Sequence, residues 1–284
     1  MSSQSLTTYS DPDTKQPLRL IHREARDFLA QEGSGCEYPV IDGIPIFIPA
    51  GQMTGSNRQY QEFYDKIAFF YDQYIALISW LCRWKGWRAA RAELIRQVAG
   101  VRPGERVLEV GIGTGLYLEL FPRDTPYAGV DISWKMLARC RRRAARLHRA
   151  VRLCLAQAEA LPFPDESFDV VFSVGGFNFF TDRQAALNEM IRVARPGTTI
   201  LIVDETPKHV KTAYERTPLA RQAFKDQSRD LLRAPVELVP KTMQNVRCEQ
   251  VWDGRFYGLS FVKPVDGTVH PGIPEPEMEK GRST

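Results

Sequence analysis

Short apolar runs and longer amphipathic stretches alternate along the middle of this chain. The runs are rich in β-branched residues and end at glycine, proline or acidic residues, which is typical of strands. They span residues 106–110, 127–131, 151–155, 168–174 and 198–203. Between them, Ser133 precedes a stretch with apolar residues at spacings of three and four, which predicts a capped helix. Thr181-Asp182-Arg183-Gln184 is a capping-box pattern that predicts a second helix, which should stop at Pro196-Gly197. This alternation predicts a parallel sheet with helices on both faces.

Both ends of the chain depart from this alternation. Tyr38–Ile48 has two apolar runs around an Asp-Gly pair, which predicts a short hairpin. Residues 246–252 and 255–262 flank Asp253-Gly254 and predict a second hairpin with a two-residue turn. The expected fold is therefore α/β and Rossmann-like, with a doubly wound seven-stranded sheet. That sheet should be mostly parallel with its last strand antiparallel, and should carry a helical cap and a small N-terminal β-hairpin domain.

These patterns divide the 284 residues into four parts. The expected boundaries are an N-terminal domain at 1–50, a linker and helical lid at 51–103, the sheet core at 104–263 and a proline-rich tail at 264–284. Within the lid, Ile67–Trp84 is apolar, but Asp72, Gln73 and Arg83 interrupt it. Its uninterrupted part is shorter than the roughly 20 residues that a membrane span needs, so amphipathic helices are favoured.

Composition narrows the classes of function. The formal charge of +4 is too small to indicate a nucleic-acid partner by itself. The arginines of the run 139–149 fall opposite the apolar face of the predicted helix, which favours a solvated surface. The polar first fifteen residues predict no secretory signal, and the five scattered cysteines are typical of reduced thiols. We therefore expect a cytoplasmic protein.

The strongest candidate for chemistry is the glycine-rich turn from Glu109 to Gly115. Such a turn lets the backbone approach a ligand closely, although alone it also fits an ordinary tight turn. Glu109 lies two residues before Gly111, where a carboxylate suits a cationic ligand and would repel a phosphate. Asp131 ends the next strand, twenty residues past Gly111, where an acid can accept hydrogen bonds from both ribose hydroxyls. Together these residues predict a site for a positively charged nucleoside.

Residues 107–196 resemble the core of class I S-adenosylmethionine-dependent methyltransferases. The resemblance rests on VLEVGIGTG, VDIS, AQAEALPFPDESFDVVFS and ARPG. YDKIAFFYD at residues 64–72 is similar to a motif of the ubiquinone/menaquinone C-methyltransferase branch, as are residues 173–178 and 181–197. The resemblance implies S-adenosyl-L-methionine as cofactor and S-adenosyl-L-homocysteine as product. It also implies a small lipophilic or aromatic acceptor, such as a quinone precursor, a phenol, an isoprenoid or a lipid-like molecule.

Carried over position by position, the resemblance implies a set of cofactor contacts. Asp131 would bind the ribose hydroxyls, Ile132 would pack on the adenine, and Ser173 would lie near the sulfonium. Gln157 replaces the acid that often receives the adenine amino group, and its amide oxygen can still accept that hydrogen bond without charge assistance. The full cofactor set comprises Glu109, Gly111, Gly113, Gly115, Asp131, Ile132, Gln157, Ala158, Ser173 and Tyr71.

The acceptor pocket is expected beyond the fourth predicted strand, because open parallel sheets bind ligands at the carboxyl ends of their strands. Phe177 and Asn178 would line it, and Tyr64 and Tyr74 would belong to its lid. Methyl transfer depends chiefly on alignment of the reacting atoms, so a general base is optional. Glu205, next to Asp204, is the candidate base, and a solvated strand-end acid is the equal alternative. His209 is interpreted as a surface histidine.

In the N-terminal domain, YSDPDTKQPL at residues 9–18 and YPVIDGIPIFI at residues 38–48 resemble the zinc-ribbon domain found ahead of some methyltransferases. Its four cysteine positions fall on Asp11, Thr14, Gln31 and Ser34, so no metal is expected, since tetrahedral zinc prefers thiolates or imidazoles. Two alternatives to a small-molecule enzyme stay open: an rRNA or tRNA base methyltransferase, and a catalytically silent cofactor-binding partner. A small-molecule acceptor is the expected partner, and no nucleic acid is expected. Contact with a lipid-like substrate or a membrane surface is left open. The protein is expected to be a monomer or a homodimer.

Overall fold

A computed structural model of the protein describes residues 9–33, 35–48, 57–58, 61–62, 65, 73, 86–207 and 234–265. The predictions for Ser34, Tyr64, Tyr71, Tyr74 and His209, most of Ile67–Trp84, and nearly all of the tail lie outside these residues. Within the described ranges, no helix is long and apolar enough to cross a membrane.

Seven strands form the main sheet, in the spatial order β10-β11-β9-β8-β5-β6-β7. Strands β5 to β9 pair in parallel, whereas β11 runs antiparallel between β9 and β10. The predicted mostly parallel sheet with an antiparallel last strand is therefore confirmed. The strands are β5 Val107–Val110, β6 Tyr127–Asp131, β7 Val151–Leu155, β8 Val170–Val174, β9 Thr199–Glu205, β10 Gln244–Val251 and β11 Phe256–Val262.

Helices cover both faces of this sheet. Helix α1 (Trp87–Ala99) and helix α2 (Trp134–Arg146) share a buried apolar cluster with Val107, whereas helix α3 (Arg183–Val193) joins the cluster of Leu108. Because successive strand residues point to opposite faces, the two clusters lie on opposite sides of the sheet. The doubly wound arrangement follows from strands that are apolar on both faces.

One of the two predicted helix caps is correct. Ser133 caps α2, and its Oγ accepts a hydrogen bond from the Met136 N–H. The capping box at Thr181 is wrong, because the cap of α3 is Asp182, whose side chain accepts from the Ala185 N–H. Helix α3 ends at Val193 rather than at Pro196, since extended Ala194 forms a parallel bridge with Phe168.

The C-terminal hairpin also differs in detail from its prediction. Val251 pairs with Phe256, so four residues, 252–255, connect the strands instead of the expected two. Trp252, Asp253 and Gly254 all have positive φ, and this run of left-handed residues builds the longer turn.

The N-terminal unit is a four-stranded antiparallel sheet and not a single hairpin. Its strands are β1 Arg19–Arg23, β2 Arg26–Ala30, β3 Glu37–Ile41 and β4 Ile44–Pro45, paired in that order. The predicted turn at Asp42-Gly43 is confirmed, because Ile41 pairs with Ile44. The β1–β2 hairpin turns at Glu24-Ala25, and both residues adopt positive φ without a glycine or asparagine to signal it.

This unit shares its core with the main sheet. The Phe47 N–H donates to the Leu155 carbonyl at 2.8 Å, which extends the pairing beyond the edge strand β7. Leu18, Leu29 and Phe47 belong to the same buried cluster as Leu108 of β5. Residues 9–48 therefore pack on the sheet as part of one hydrophobic core.

Candidate cofactor site

The glycine-rich turn leaves the carboxyl end of β5 at the centre of the sheet. Gly111, Gly113 and Gly115 have φ of +77°, +55° and +73°, a region that side chains disfavour. A Cβ on Gly115 would lie 2.7 Å from Cys140 Sγ, so a side chain there would collide with α2. Turns and a short 3₁₀ helix, Leu118–Leu120, follow the loop. A ligand here would therefore meet the backbone of the loop rather than the end of a helix.

Asp131 ends β6 and connects this loop to the start of α2 through hydrogen bonds. Its Oδ2 accepts from the Gly113 N–H and its Oδ1 from the Ser133 N–H, both at 2.8 Å. Burial raises the pKa of Asp131 to about 6, against the lowering effect of these two hydrogen bonds. A carboxylate has about four acceptor positions, so each oxygen can still accept a hydroxyl proton. The position and chemistry of Asp131 fit the two hydroxyls of a ribose.

Glu109 lies beneath the loop and is 1% exposed. The Tyr127 hydroxyl donates to its Oε2 at 2.6 Å. Burial raises the pKa of Glu109 to about 8, the Tyr127 hydrogen bond opposes that rise, and the charge of Asp131 adds to it. The charge of Asp131 on the adjacent strand therefore adds to the cost of ionising the buried Glu109, and a nearby positive charge would relieve that cost.

Ser173, in β8, faces the same loop. Its Oγ is buried and has no hydrogen-bond partner among the described residues. It lies 3.9 Å from the position a Cβ would take on Gly111 and 3.8 Å from that on Gly176. An unpaired buried hydroxyl costs about 1–3 kcal/mol, so a polar ligand atom beside Gly111 would be stabilised here.

The residues predicted to hold the adenine lie beyond β6 and β7. Ile132 is partly buried against the α2 cluster, and Ala158 is buried. Gln157 accepts a hydrogen bond at its Oε1 from Asn57 Nδ2 at 3.1 Å. Sequence reasoning missed Asn57, because its partners lie about a hundred residues away and no local pattern marks it.

At the acceptor end, Phe177 and Asn178 are buried in a short 3₁₀ helix, Phe177–Phe179. Asn178 donates its N–H to Asp204 and its Nδ2 to the Glu205 carbonyl, both at 2.9 Å, and its Oδ1 accepts from the Tyr257 hydroxyl at 2.8 Å. This side chain thus ties together the ends of β8, β9 and β11.

An aromatic ring that the sequence did not single out lies nearer to the loop. Phe180 is partly buried and its ring is 4.0 Å from the Cβ position of Gly111 and 3.6 Å from that of Gly176. It also packs edge-on against Phe177, with ring centroids 5.6 Å apart. Phe180 therefore borders the end of the loop where Ser173 is found.

The acids at the end of β9 have different environments. Glu205, the candidate base, is partly buried at the strand end, whereas Asp204 is 0% exposed. Burial and then the charge of Glu205 raise the pKa of Asp204 to about 7, while N–H donors and the charge of Arg91 lower it. Both Asp204 oxygens accept backbone N–H groups, from Asn178 and Glu205, so its role is to shape the strand end. Arg91, from α1, lies over the Phe256 ring at 4.0 Å.

Three of the four positions aligned with zinc ligands are joined by hydrogen bonds. Asp11 Oδ1 accepts from the Thr14 N–H at 2.8 Å, and Thr14 Oγ1 donates to Gln31 Oε1 at 2.9 Å. Tyr38 donates to the other Asp11 oxygen, and these bonds lower the pKa of Asp11 although burial opposes them. Among the described residues, no group of three or more His, Cys, Asp or Glu side chains could hold a metal ion.

Comparison with known proteins gives matches centred on the sheet core. Residues 108–202 match the family described as Methyltransferase domain. A 123-residue stretch is 36% identical to a ubiquinone/menaquinone biosynthesis C-methyltransferase of Cupriavidus necator, covering 41% of this chain and 51% of that protein. A 119-residue stretch is 39% identical to a phosphatidylethanolamine N-methyltransferase of Cereibacter sphaeroides, covering 41% of this chain and 56% of that protein. The chain thus spans about half the length of these curated relatives.

Solved structures share the fold of the core. The crystal structure of the PH0226 protein from Pyrococcus horikoshii superposes with a TM-score of 0.50 at 17% identity, covering 63% of this chain and 92% of that one.

Proposed function

From the premise that the sheet core is a class I methyltransferase domain, we propose that the protein binds S-adenosylmethionine and transfers its methyl group to a small lipophilic or aromatic acceptor. The observation that carries the proposal is a pair of acids at adjacent strand ends, the buried Glu109 and the partly buried Asp131. Both pKa values are raised, and both acids adjoin a loop whose three glycines have positive φ and carry no side chain that would keep a ligand from the backbone. A cationic nucleoside suits this environment better than a phosphate would.

The residues of the site fit the parts of this cofactor. Asp131 would accept from the ribose hydroxyls, while Gln157 and Ala158 would face the adenine. Ser173 offers an unpaired hydroxyl to the methionyl end, beside Gly111. When bound, the cofactor supplies an electrophilic methyl group on a positively charged sulfur. Tyr71 belongs to the same proposed set and lies outside the described residues.

Apolar side chains at the carboxyl ends of β8 and β9 support a lipophilic or aromatic acceptor. Phe180 presents an apolar ring next to the loop, and Phe177 packs behind it. The names of two curated relatives, a quinone methyltransferase and a phosphatidylethanolamine methyltransferase, both refer to lipophilic acceptors. Glu205, partly exposed at the end of β9, would accept a proton from an acceptor that is not already ionised. A cytoplasmic location and a metal-free zinc-ribbon origin for residues 1–50 belong to the same proposal.

Calorimetry with S-adenosylhomocysteine tests the proposal directly. We expect micromolar binding by the wild-type protein and a loss of about tenfold or more in Asp131→Ala, since that change removes two charge-assisted hydrogen bonds. Asp124→Ala is the matched control, because Asp124 is exposed in a turn before β6. Transfer of labelled methyl from the cofactor to a lipid extract then tests the acceptor class. No heat of binding up to millimolar nucleoside would refute the proposal.

A further inference from the structure

We propose that Asn57 is a positioning residue that fixes the orientation of the Gln157 amide and thereby makes the cofactor site select adenine over hypoxanthine. The inference rests on the proposed function, in which Gln157 receives the adenine amino group. Asn57 is 2% exposed and reaches the site from a segment that precedes the sheet core.

The orientation of the Asn57 amide is determined by two partners of opposite kinds. Its Oδ1 accepts from the Thr181 N–H at 3.2 Å, and its Nδ2 donates to Glu159 Oε1 at 3.1 Å. A backbone N–H can only donate, whereas this carboxylate oxygen already accepts N–H groups from Thr181 and Asp182. Turning the Asn57 amide over would place donor against donor and acceptor against acceptor. Its own N–H donates to Thr181 Oγ1 at 3.0 Å, which holds the residue in register.

The same Nδ2 group determines the orientation of Gln157. It donates to Gln157 Oε1 at 3.1 Å, so the amide atom of Gln157 that faces Asn57 must be the oxygen. A reversed Gln157 would place its NH₂ group against the Asn57 NH₂ group, so that two donors face each other and the hydrogen bond between the two side chains is lost. Thr181 and Glu159 thus fix the orientation of the Asn57 amide, and Asn57 in turn fixes the orientation of the Gln157 amide.

A fixed oxygen discriminates between purines. An amide oxygen has two acceptor positions, so Gln157 can accept from Asn57 and from one further donor. Adenine carries an amino donor at its six position, whereas hypoxanthine carries a carbonyl acceptor there. An unanchored amide could turn over and donate to that carbonyl, but an anchored one would oppose it. We therefore expect the wild-type protein to prefer the adenine nucleoside by about tenfold or more.

The test measures two dissociation constants by calorimetry, for S-adenosylhomocysteine and for S-inosylhomocysteine. In Asn57→Ala the preference for the adenine compound should fall to about threefold or less, since Gln157 can then turn over. The double variant Asn57→Ala with Gln157→Glu should recover the preference, because a carboxylate can only accept. Asn188→Ala, an exposed change on α3, should leave the preference as in the wild type. If Asn57→Ala fails to fold, Asn57→Leu serves instead, because leucine is close to asparagine in size and cannot donate to Gln157, so the preference should fall in the same way.

The outcomes separate this inference from the proposed function. A wild-type protein that binds both nucleosides equally overturns the inference and leaves the proposed function intact. So does an Asn57→Ala protein that loses affinity for both in equal proportion, which is what a merely structural role predicts. A wild-type protein that binds neither nucleoside refutes the proposed function and the inference together.

Discussion

At the scale of single residues, the site gathers carboxylates that resist ionisation. Near the carboxyl ends of the strands, Glu109 and Asp204 are buried and Asp131 is partly buried, and burial is the first cause of each raised pKa. In the unfolded chain the same groups return to ordinary values. At a pH between the ordinary pKa and the native pKa of one of these acids, the folded protein binds more protons than the unfolded chain does. These acids therefore lower the free energy of unfolding as pH rises.

Glu109→Gln tests this linkage at the group with the highest pKa of the three. The native pKa is about 8 and the ordinary value about 4.5, so the stabilisation is full below about pH 4.5 and is lost by about pH 8. The introduced amide can still accept from Tyr127 but does not titrate. We expect the free energy of unfolding, measured with urea at several pH values, to fall less steeply between about pH 5 and 8 in the variant, where one such group contributes at most about 1.4 kcal/mol per pH unit.

Asp131 and Asp204 contribute with the same sign, so some slope should persist in Glu109→Gln. Glu119→Gln is the control, because Glu119 is exposed in the short 3₁₀ helix after the loop. An unchanged slope in Glu109→Gln would show that Glu109 ionises normally in the native protein.

At the scale of elements, the glycine loop packs between β5 and α2 so closely that no side chain fits at Gly115. Gly115→Ala would put a Cβ 2.7 Å from Cys140 Sγ and 2.8 Å from Leu118 Cδ1, at a φ of +73°. Gly113→Ala has a similar backbone strain at +55°, with nothing within 4 Å of the added carbon. We expect Gly113→Ala to cost about 1 kcal/mol of unfolding free energy and Gly115→Ala about 1–3 kcal/mol more, by urea denaturation. Equal losses in the two variants would mean that packing against α2 is irrelevant.

At the start of α3, two adjacent residues have different roles: Asp182 caps the helix, and Thr181 contacts Asn57. Asp182 accepts from the Ala185 N–H at 2.9 Å, whereas Thr181 Oγ1 accepts from the Asn57 N–H at 3.0 Å. Asp182→Ala should therefore lower the free energy of unfolding by about 0.5–2 kcal/mol through loss of the cap, without changing nucleoside selectivity. Thr181→Ala should instead loosen the contact with Asn57. Urea unfolding measures the stability of both variants, and calorimetry measures their selectivity. If Thr181→Ala caused the loss of stability and Asp182→Ala the change in selectivity, the result would support the capping box that the sequence indicates.

These elements show where the sequence is informative and where it is not. Strands β5 to β9 are predictable because apolar runs and their terminators are local signals, and Asp131 is predictable because it closes such a run. The sequence pattern places the cap of α3 one residue early because Thr181 and Asp182 are both good caps, and only the fold assigns Thr181 another partner. Asn57 has no local signal at all, since its partners Gln157 and Thr181 are brought to it by tertiary structure. The burial of Glu109 depends likewise on Tyr127 of the next strand.

At the scale of the whole molecule, the N-terminal sheet and the main sheet have a continuous core. Phe47 is 7% exposed, packs against Tyr9 and Tyr38 with ring centroids 5.5 and 4.9 Å away, and belongs to the buried cluster that includes Leu108. The backbone of Phe47 also pairs with the edge strand β7. Two units that share a core and a backbone pairing should unfold together, whereas an appended domain would unfold separately.

Phe47→Ala tests this cooperativity, because all five tryptophans lie beyond the N-terminal unit and report only on the rest of the chain. If the molecule unfolds as one unit, the tryptophan-detected transition in urea should lose about 3–5 kcal/mol in Phe47→Ala, the usual cost of emptying such a buried site. Leu20→Ala, on the same small sheet but with Leu20 53% exposed, should stay within about 0.5 kcal/mol of the wild type. A tryptophan signal that ignores Phe47→Ala, accompanied by an earlier separate loss of N-terminal structure, would show that residues 9–48 fold on their own. A single joint transition would instead show that the N-terminal sheet stabilises the main sheet by covering its β7 edge.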